Sequence, residues 1–203
     1  MDLFSDPSAP PQSPTAMPLE DGALAFLARL PLAQDGAHIM AQLIAHTHWR
    51  CETITVWGKR HPQPRLTAWM GDAAYRYSGI TLAPAPFSPL VQTLRQAVEA
   101  ASGQRFNSVL LNYYRDGRDS MGMHSDDEPE LGARPVIASL SFGATRSFVL
   151  KHKTSGRTVK IDLGDGNLLI MFEETQKNWL HGIPKLSRPC GPRLNLTFRN
   201  IIE

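Results

Sequence analysis

The heptapeptide RLNLTFR, residues 193–199, alternates polar and apolar side chains with a period of two. Successive side chains of a β-strand point to opposite faces of the sheet, so the polar residues share one face. These are Arg193, Asn195, Thr197 and Arg199. Two interpretations of that face are open. It is either the solvated face of an edge strand or, because a guanidinium pairs bidentately with a carboxylate, a receptor for a dicarboxylate.

Short runs rich in β-branched, leucine and aromatic residues fill the chain after Gly103, with turn sequences between them. The runs are SVLLNYY, PVIASLSFG, RSFVLKH, TVKIDL, NLLIMF and RLNLTFRNI. Six or more such strands predict an antiparallel sandwich or jelly roll. Helical apolar spacing is found upstream, in AFLARLPL and HIMAQLIAHTHW within residues 21–49 and in SPLVQTLRQAVEAAS at 88–102. We therefore expect an α+β fold, mainly β, with supporting N-terminal helices.

Length and composition suit one domain of an ordinary globular protein. The 203 residues are 42% hydrophobic and 20% charged, and the net charge of +2 permits an anionic partner without requiring one. Residues 1–20, rich in Pro and Ser, predict a disordered leader, and residues 21–203 a single domain. Two cysteines without a C-x-x-C spacing support neither a disulfide framework nor a structural zinc site. No apolar run is long enough for a membrane span. We expect a monomer that is located in the cytoplasm, or in the nucleus if the source is a eukaryote.

The stretch HSDDEPE, residues 124–130, places one histidine against four carboxylates. An acidic run is commonly a solvated loop, but His124 and Asp126 are also a pair of candidate metal ligands. A second imidazole is available from His181 in NWLHGIPK, which follows the run NLLIMF. Two histidines and one carboxylate suit a non-haem Fe(II) centre with open coordination positions. Zinc accepts the same ligands, although the sequence supplies no fourth ligand for a closed structural site.

Asn112 and Tyr114 in LLNYY alternate in the same way as the polar residues of 193–199 and are candidates for the same wall. Iron with open positions beside a two-arginine carboxylate receptor indicates 2-oxoglutarate as co-substrate. The combination H-x-D, a distal His and R-x-N-x-T-x-R resembles the AlkB family of Fe(II)/2-oxoglutarate-dependent nucleic-acid dealkylases. The likeness covers most of the chain from about residue 53 to 202, and NYYRDG, MHSDDE and PRLNLTFRNI are most similar to the branch that repairs double-stranded DNA.

This resemblance implies a double-stranded β-helix in about residues 104–203 and a nucleotide-recognition lid in about residues 50–100. It implies Fe(II) on His124, Asp126 and His181, with O2 as the second substrate of the metal centre. Arg193 and Tyr114 would bind the distal carboxylate of 2-oxoglutarate. The keto-acid end would be served by Asn112, Asn195, Thr197 and Arg199.

The resemblance also assigns a substrate side. Asp127 would accept a hydrogen bond from the exocyclic amine of a methylated adenine or cytosine, which must be flipped out of a duplex to reach the iron. Aromatic residues for stacking on the base are Tyr75, Tyr77 and Trp69. In VWGK, Trp57 next to Gly58 would fill the gap left by the flipped base. Lys59, Arg60 and Arg65 would contact phosphates.

The predicted function is repair of alkylated DNA, double- or single-stranded, by oxidative demethylation with release of formaldehyde, succinate and CO2. An RNA demethylase and a protein or small-molecule hydroxylase use the same metal and co-substrate and are alternatives. A metal-free jelly-roll binding module is an alternative of another class, which the three metal ligands and two arginines argue against.

Overall fold

A computed structural model describes residues 13–56, 59–72, 75–77, 80–82 and 85–202, with the backbone alone at 54–56, 59–60, 75–77 and 80–82. The helices are α1 (Gly36–His46), α2 (Pro89–Ser102) and α3 (Thr175–Asn178), with a 3-10 turn at Pro129–Leu131. The described strands are β1 (Thr15–Leu19), β2 (Gly22–Leu27), β3 (Thr53–Val56), β4 (Lys59–Pro62), β5 (Leu66–Gly71), β6 (Tyr75–Tyr77), β7 (Ile80–Leu82), β8 (Ser108–Tyr114), β9 (Met121–His124), β10 (Ile137–Gly143), β11 (Arg146–His152), β12 (Thr158–Leu163), β13 (Leu168–Phe172), β14 (Trp179–Ile183) and β15 (Arg193–Arg199). No helix of these described ranges is long and apolar enough to cross a membrane.

Two antiparallel sheets build the main body. The larger has seven strands in the order β1-β2-β13-β10-β15-β8-β5, and the smaller has four in the order β12-β11-β14-β9. Side chains from both sheets meet in one buried cluster, which includes Leu110, Tyr114 and Leu169 of the larger sheet and Phe148 and Trp179 of the smaller. This is the predicted double-stranded β-helix. Two further hairpins, β3-β4 and β6-β7, lie in the region predicted to form a lid.

The two helices predicted upstream of the barrel cover the outer face of the larger sheet. Ile39 and Leu43 of α1 and Val91 and Leu94 of α2 are buried in a cluster with the outward side chains of the sheet, among them Leu196. Helix α2 begins at Ser88, whose hydroxyl accepts a hydrogen bond from the Val91 amide, and ends at Gly103 with φ of 68°. Burial of this outer face fixes which side chains of β15 must face inward.

The register of the strands arranges the inward side chains in rows. Arg193 lies opposite Tyr114 of β8, and Asn195 lies opposite Asn112 on one side and Ser141 of β10 on the other. All four inward side chains of β15 are buried, with exposures between 1% and 8%. The solvated-edge interpretation of RLNLTFR is therefore wrong, because β15 lies in the middle of the sheet between β10 and β8.

Two predictions for the N-terminus are also wrong. Residues 15–19 of the predicted disordered leader form edge strand β1, which tolerates Pro18 because an edge strand need not use every amide. The segment AFLARLPL, residues 25–32, forms no helix. Its first three residues end strand β2, which pairs with β1 and β13, and the other five lie in the connection that follows. A short apolar run does not distinguish a buried strand from a helix by periodicity, and here pairing with β13 decides.

Close contact between β14 and β9 depends on Gly182. A Cβ atom there would lie 2.8 Å from the Met121 carbonyl oxygen and 3.0 Å from the Gly122 carbonyl oxygen. The pairing of these strands is irregular between His181 and Ile183, so the backbone of β9 approaches β14 unusually closely.

We predict that Gly182→Ala lowers the free energy of unfolding by about 1–3 kcal/mol, because the added methyl group must push β9 away from β14. Urea denaturation measures the change. Gly122→Ala is the matched control on β9, since a Cβ atom there meets nothing within 4 Å. Equal stability of the two variants would show that the strands do not need this close approach.

Candidate active site

Three candidate ligands line one cavity between the two sheets. His124 ends β9 and His181 lies within β14, where the two residues are paired across the strands. Asp126 follows His124 by two residues, and one ligand atom of each of the three lies within 4.8 Å of the others. The short helix α3 and the start of β14 separate His181 from β13. Pairing across the strands thus brings together residues 57 positions apart.

The hydrogen bond of His124 Nδ1 determines which ring nitrogen carries the proton. Its Nδ1 lies 2.9 Å from the Gly122 carbonyl oxygen, which only accepts, so Nδ1 carries the proton and donates. Nε2 then keeps its lone pair, and it lies 4.0 Å from Oδ1 of Asp126. A carbonyl that orients a histidine in this way is a recurring feature around bound metals.

A second cluster, Glu20, Asp21 and His152, also has ligand atoms within 4.8 Å of one another. The tautomer of His152, however, is the opposite of that of His124. The Nδ1 atom of His152 accepts hydrogen bonds from the backbone amides of Thr154 and Ser155. A neutral His152 therefore carries its proton on Nε2, which faces Asp21 Oδ2 at 3.4 Å. This histidine supplies no lone pair for a metal, so the first cluster is the better metal site of the two.

Electrostatics keep the first cluster ready to bind a cation. Burial opposes the charge on Asp126, but Arg199, His181 and His124 outweigh it and lower the pKa to about 2. Burial and the neighbouring His124 lower the pKa of His181 to about 3. Burial also lowers the pKa of His124. Near neutral pH the site thus consists of one carboxylate and two neutral imidazoles, which is the protonation state that a divalent metal requires.

The donor set fits Fe(II). Arg199 Nη2 donates to Asp126 Oδ1 at 2.8 Å, while Oδ2 is buried and has no hydrogen-bond partner among the described residues. A buried oxygen without a partner is costly, and coordination of a cation would satisfy it. Two imidazoles and one carboxylate occupy three positions and leave others open, as in non-haem Fe(II) oxygenases.

Arg193 forms the carboxylate-binding side of the same cavity. Its guanidinium is buried at 1% exposure, donates from Nη2 to the Ser141 hydroxyl at 2.9 Å, and lies 5.3 Å from the centre of the Tyr114 ring. Nε and Nη1 are buried without a hydrogen-bond partner among the described residues. Burial lowers the pKa of Arg193, since a cation here is removed from water. A buried guanidinium with two free donors is a site for a carboxylate.

Comparisons with known proteins agree with this arrangement. Residues 16–199 match the family described as the 2OG-Fe(II) oxygenase superfamily. The chain belongs to this superfamily. Fe(II), 2-oxoglutarate and O2 are therefore its cofactor and co-substrates. Curated proteins with AlkB-family names are similar to most of this chain.

Among the curated relatives is the mouse alpha-ketoglutarate-dependent dioxygenase alkB homolog 3, 46% identical over 173 residues, which cover 80% of this chain and 60% of the relative. The human DNA oxidative demethylase ALKBH2 is 44% identical over 159 residues, or 73% of this chain and 61% of the relative. This chain thus spans about three-fifths of the length of these relatives. A solved structure, "The structure of OsALKBH1", aligns with a TM-score of 0.63 over 91% of this chain and 100% of that one at 19% identity, which shows the shared fold.

The remaining residues predicted for the 2-oxoglutarate site share its buried interior. Asn195, Thr197 and Arg199 line the cavity together with Tyr114 and Arg193. Asn195 donates to the Ser139 hydroxyl at 2.7 Å and accepts from Thr197 at 2.9 Å. Arg199 is committed to Asp126 by its Nη2 atom, and Asn112 accepts from Arg65 Nε at 2.8 Å. Their assignment to the keto-acid end stays a prediction.

The residues predicted to contact the nucleic acid differ in their exposure to solvent. Asp127 directly follows the buried Asp126, with a side-chain exposure of 58% and an ion pair to Lys153 at 3.4 Å. Trp69 is only 6% exposed and packs in the inner cluster, so in this structure it offers no open face for stacking on a base. Arg65 is 4% exposed, and its predicted phosphate contact is wrong because the side chain turns inward to Asn112. For Tyr75, Tyr77 and Lys59 only the strand backbone is described, and Trp57 and Gly58 lie outside the described residues.

Two residues of the site were missed in the sequence. Gln176 is 1% exposed, and its side-chain oxygen accepts a hydrogen bond from the Asp126 amide. Ser141 holds Arg193 from the neighbouring strand. Ser141 lies in the period-two pattern of IASLSFG, which offered a signal, whereas nothing in the sequence of TQKN singles out Gln176.

We predict that Mn2+ binding, as a stand-in for Fe(II), changes by less than about threefold between pH 7.5 and pH 6, because lowered histidine pKa values mean that protons compete only at lower pH. Histidines with an ordinary pKa near 6.5 would weaken binding by roughly tenfold or more over this range. Calorimetric titration of the metal-free protein distinguishes the two. A tenfold loss would show that the histidines are not held neutral by burial.

We further predict that Arg193→Met weakens 2-oxoglutarate binding by roughly 10- to 150-fold, since a charge-assisted hydrogen bond contributes about 1.5–3 kcal/mol. Calorimetry with Mn2+ present measures this, and Mn2+ affinity itself is the internal control. Arg193→Lys should lie between the variant and the wild type, because it keeps the charge and loses the fork of donors. An unchanged affinity would mean that the carboxylate binds elsewhere.

Proposed function

We propose that this chain is an oxidative demethylase of alkylated DNA bases, acting on lesions of the 1-methyladenine and 3-methylcytosine type. His124, Asp126, His181 and the buried guanidinium of Arg193 line one cavity. Nε and Nη1 of Arg193 have no hydrogen-bond partner among the described residues, and the exposed carboxylate of Asp127 directly follows Asp126. That combination supports the proposal most directly. The chemistry supplied by bound Fe(II) and 2-oxoglutarate is the activation of O2 for attack on a strong C–H bond.

The reaction balances without a further reactant. One atom of O2 enters succinate as 2-oxoglutarate loses CO2, and the other enters the N-methyl group as a hydroxyl. The resulting N-hydroxymethyl group breaks at its C–N bond, which releases formaldehyde and restores the unmethylated base. In this reaction Arg193 would bind 2-oxoglutarate, His124, Asp126 and His181 would hold the metal, and the protein would hold the base with its methyl group next to that site.

Asp127 is arranged to receive such a base. Ser125 Oγ donates to its Oδ2 at 2.8 Å, and Lys153 Nζ approaches the same oxygen at 3.4 Å. Both interactions among the described residues thus use Oδ2, and Oδ1 is left for an amino group of the substrate. A carboxylate accepts hydrogen bonds only, which suits the exocyclic amines of adenine and cytosine. Thymine has no exocyclic amine, so this contact would discriminate against it.

Relatives support a nucleic-acid substrate. The human relative at 44% identity is named a DNA oxidative demethylase, whereas the mouse relative at 46% identity is named only as a dioxygenase. Sequence identities of 44% and 46% are too similar to favour one of these two relatives over the other. The expected likeness to the duplex-repair branch, with Trp57 as its wedge, therefore stays a prediction.

The proposal is tested with oligonucleotides that carry one 1-methyladenine or 3-methylcytosine, in matched single-stranded DNA, duplex DNA and RNA. Formaldehyde and succinate are measured together, and His181→Ala is the inactive control. We expect equimolar release of both products with at least one DNA substrate. The proposal would be contradicted if none of the DNA substrates released formaldehyde while succinate was still formed. It would also be contradicted if RNA were the only substrate that released formaldehyde.

We predict that Asp127→Ala lowers kcat/KM on a methylated oligonucleotide by roughly 10- to 150-fold, because it removes a charge-assisted hydrogen bond to the base. Binding of Mn2+ and 2-oxoglutarate should stay unchanged. Glu130→Ala is the matched control from the same acidic run, and it should retain wild-type kcat/KM. Equal activity of the two variants would place Asp127 among the solvated acids.

A further inference from the structure

Gln176 is a buried amide beside the metal site with no role in the chemistry described so far. It lies on α3, the one-turn helix between β13 and β14, and only 1% of it is exposed. Helices this short have no stability of their own, so the position of Gln176 is fixed by its contacts. A buried glutamine must satisfy two donors and an acceptor, which makes those contacts informative.

The orientation of the amide follows from its partners. The backbone N–H of Asp126 donates to Gln176 Oε1 at 2.9 Å, and an amide proton requires an acceptor, so the oxygen must face Asp126. The nitrogen then faces the thioether sulfur of Met171 at 3.3 Å, a weak acceptor. Only this orientation places an acceptor toward the Asp126 amide and a donor toward the sulfur.

The contact joins two parts of the chain that each carry a metal ligand. Asp126 lies in the irregular segment after β9, 50 residues before Gln176 in the sequence. His181 lies on β14, five residues after Gln176. Lys153 Nζ adds a second tie, because it donates to the backbone oxygen of Gln176 at 3.0 Å and approaches Asp127 at 3.4 Å.

Asp126 is therefore fixed from two sides. Arg199 fixes its carboxylate through Oδ1, and Gln176 fixes its backbone through the amide. Arg199 alone would leave the backbone of the segment free to turn about the side-chain contact, so the direction of Oδ2 would vary. A ligand held in one direction binds a metal with less loss of conformational freedom.

We propose that Gln176 is a positioning residue of the metal site, which sets the direction of the Asp126 carboxylate by accepting the hydrogen bond of its backbone amide. The inference rests on the metal site and not on the identity of the methylated substrate. Its failure is therefore distinguishable from failure of the proposed demethylase function.

The alternative is that Gln176 only fills space in the core. Methionine has nearly the same length and volume without an acceptor at the end, so Gln176→Met preserves packing and leaves the Asp126 amide unsatisfied. Glutamate keeps an oxygen at the same distance, so Gln176→Glu preserves the acceptor. Lys177→Met is a control on the same helix turn, since the Lys177 side chain is 71% exposed.

The experiment measures Mn2+ affinity by calorimetry and the visible absorption bands of bound Co2+ for the four proteins without oxygen or nucleic acid. We expect Gln176→Met to bind Mn2+ roughly 10- to 100-fold more weakly, the usual effect of losing a group that orients a ligand, and to shift the Co2+ bands. Gln176→Glu and Lys177→Met should stay within about threefold of the wild type. If Gln176→Met does not fold, Gln176→Asn, whose oxygen is one methylene too short, takes its place with the same expectation.

Two results would overturn the proposal. One is wild-type Mn2+ affinity and Co2+ bands in the variant that lacks the acceptor. The other is an equal loss in that variant and in Gln176→Glu, because Gln176→Glu keeps the acceptor oxygen, which would then not be the group responsible.

Discussion

The site depends on the buried ion pair between Arg199 and Asp126, which are 1% and 0% exposed and 2.8 Å apart. Removing two charges from water costs several kcal/mol each, and replacing such a pair with apolar residues often stabilises a protein. Its presence here is explained by function. The arginine keeps the carboxylate ionised, with a pKa of about 2, and Oδ2 has no hydrogen-bond partner in the part of the chain that the structure describes.

The rest of the fold makes that pair possible. Strand β15 lies in the middle of the larger sheet, so its inward side chains are removed from water, and the helices α1 and α2 bury its outward leucines. The same strand carries Arg193 six residues before Arg199, where Ser141 and Tyr114 surround the guanidinium. Strand β15 therefore carries both arginines of the site: Arg199 pairs with the metal ligand Asp126, and Arg193 is the candidate partner of a carboxylate of 2-oxoglutarate.

The sequence predicted what has a local pattern. The period of two in RLNLTFR and the capped helix at 88–102 define their elements alone, and the H-x-D motif with a distal histidine resembles a family with a known fold. Pairing was not predictable, because it joins distant residues. The sequence around the end of β2 is compatible with a helix, and only its pairing with β13 makes it a strand. Likewise, no local pattern predicts that Arg65 turns inward to Asn112 or that Gln176 contacts the Asp126 amide. The tautomers of His124 and His152 likewise follow only from the backbone groups around them.

The most direct test of this account is diffraction from crystals soaked with Mn2+ and 2-oxoglutarate without oxygen, recorded at the manganese absorption edge. The hydrogen bonds predict a single anomalous peak among His124, Asp126 and His181, with a carboxylate of 2-oxoglutarate on Arg193. A peak at Glu20, Asp21 and His152, or none at the first cluster, would contradict the central claim that the buried pair of Asp126 and Arg199 exists to hold a metal.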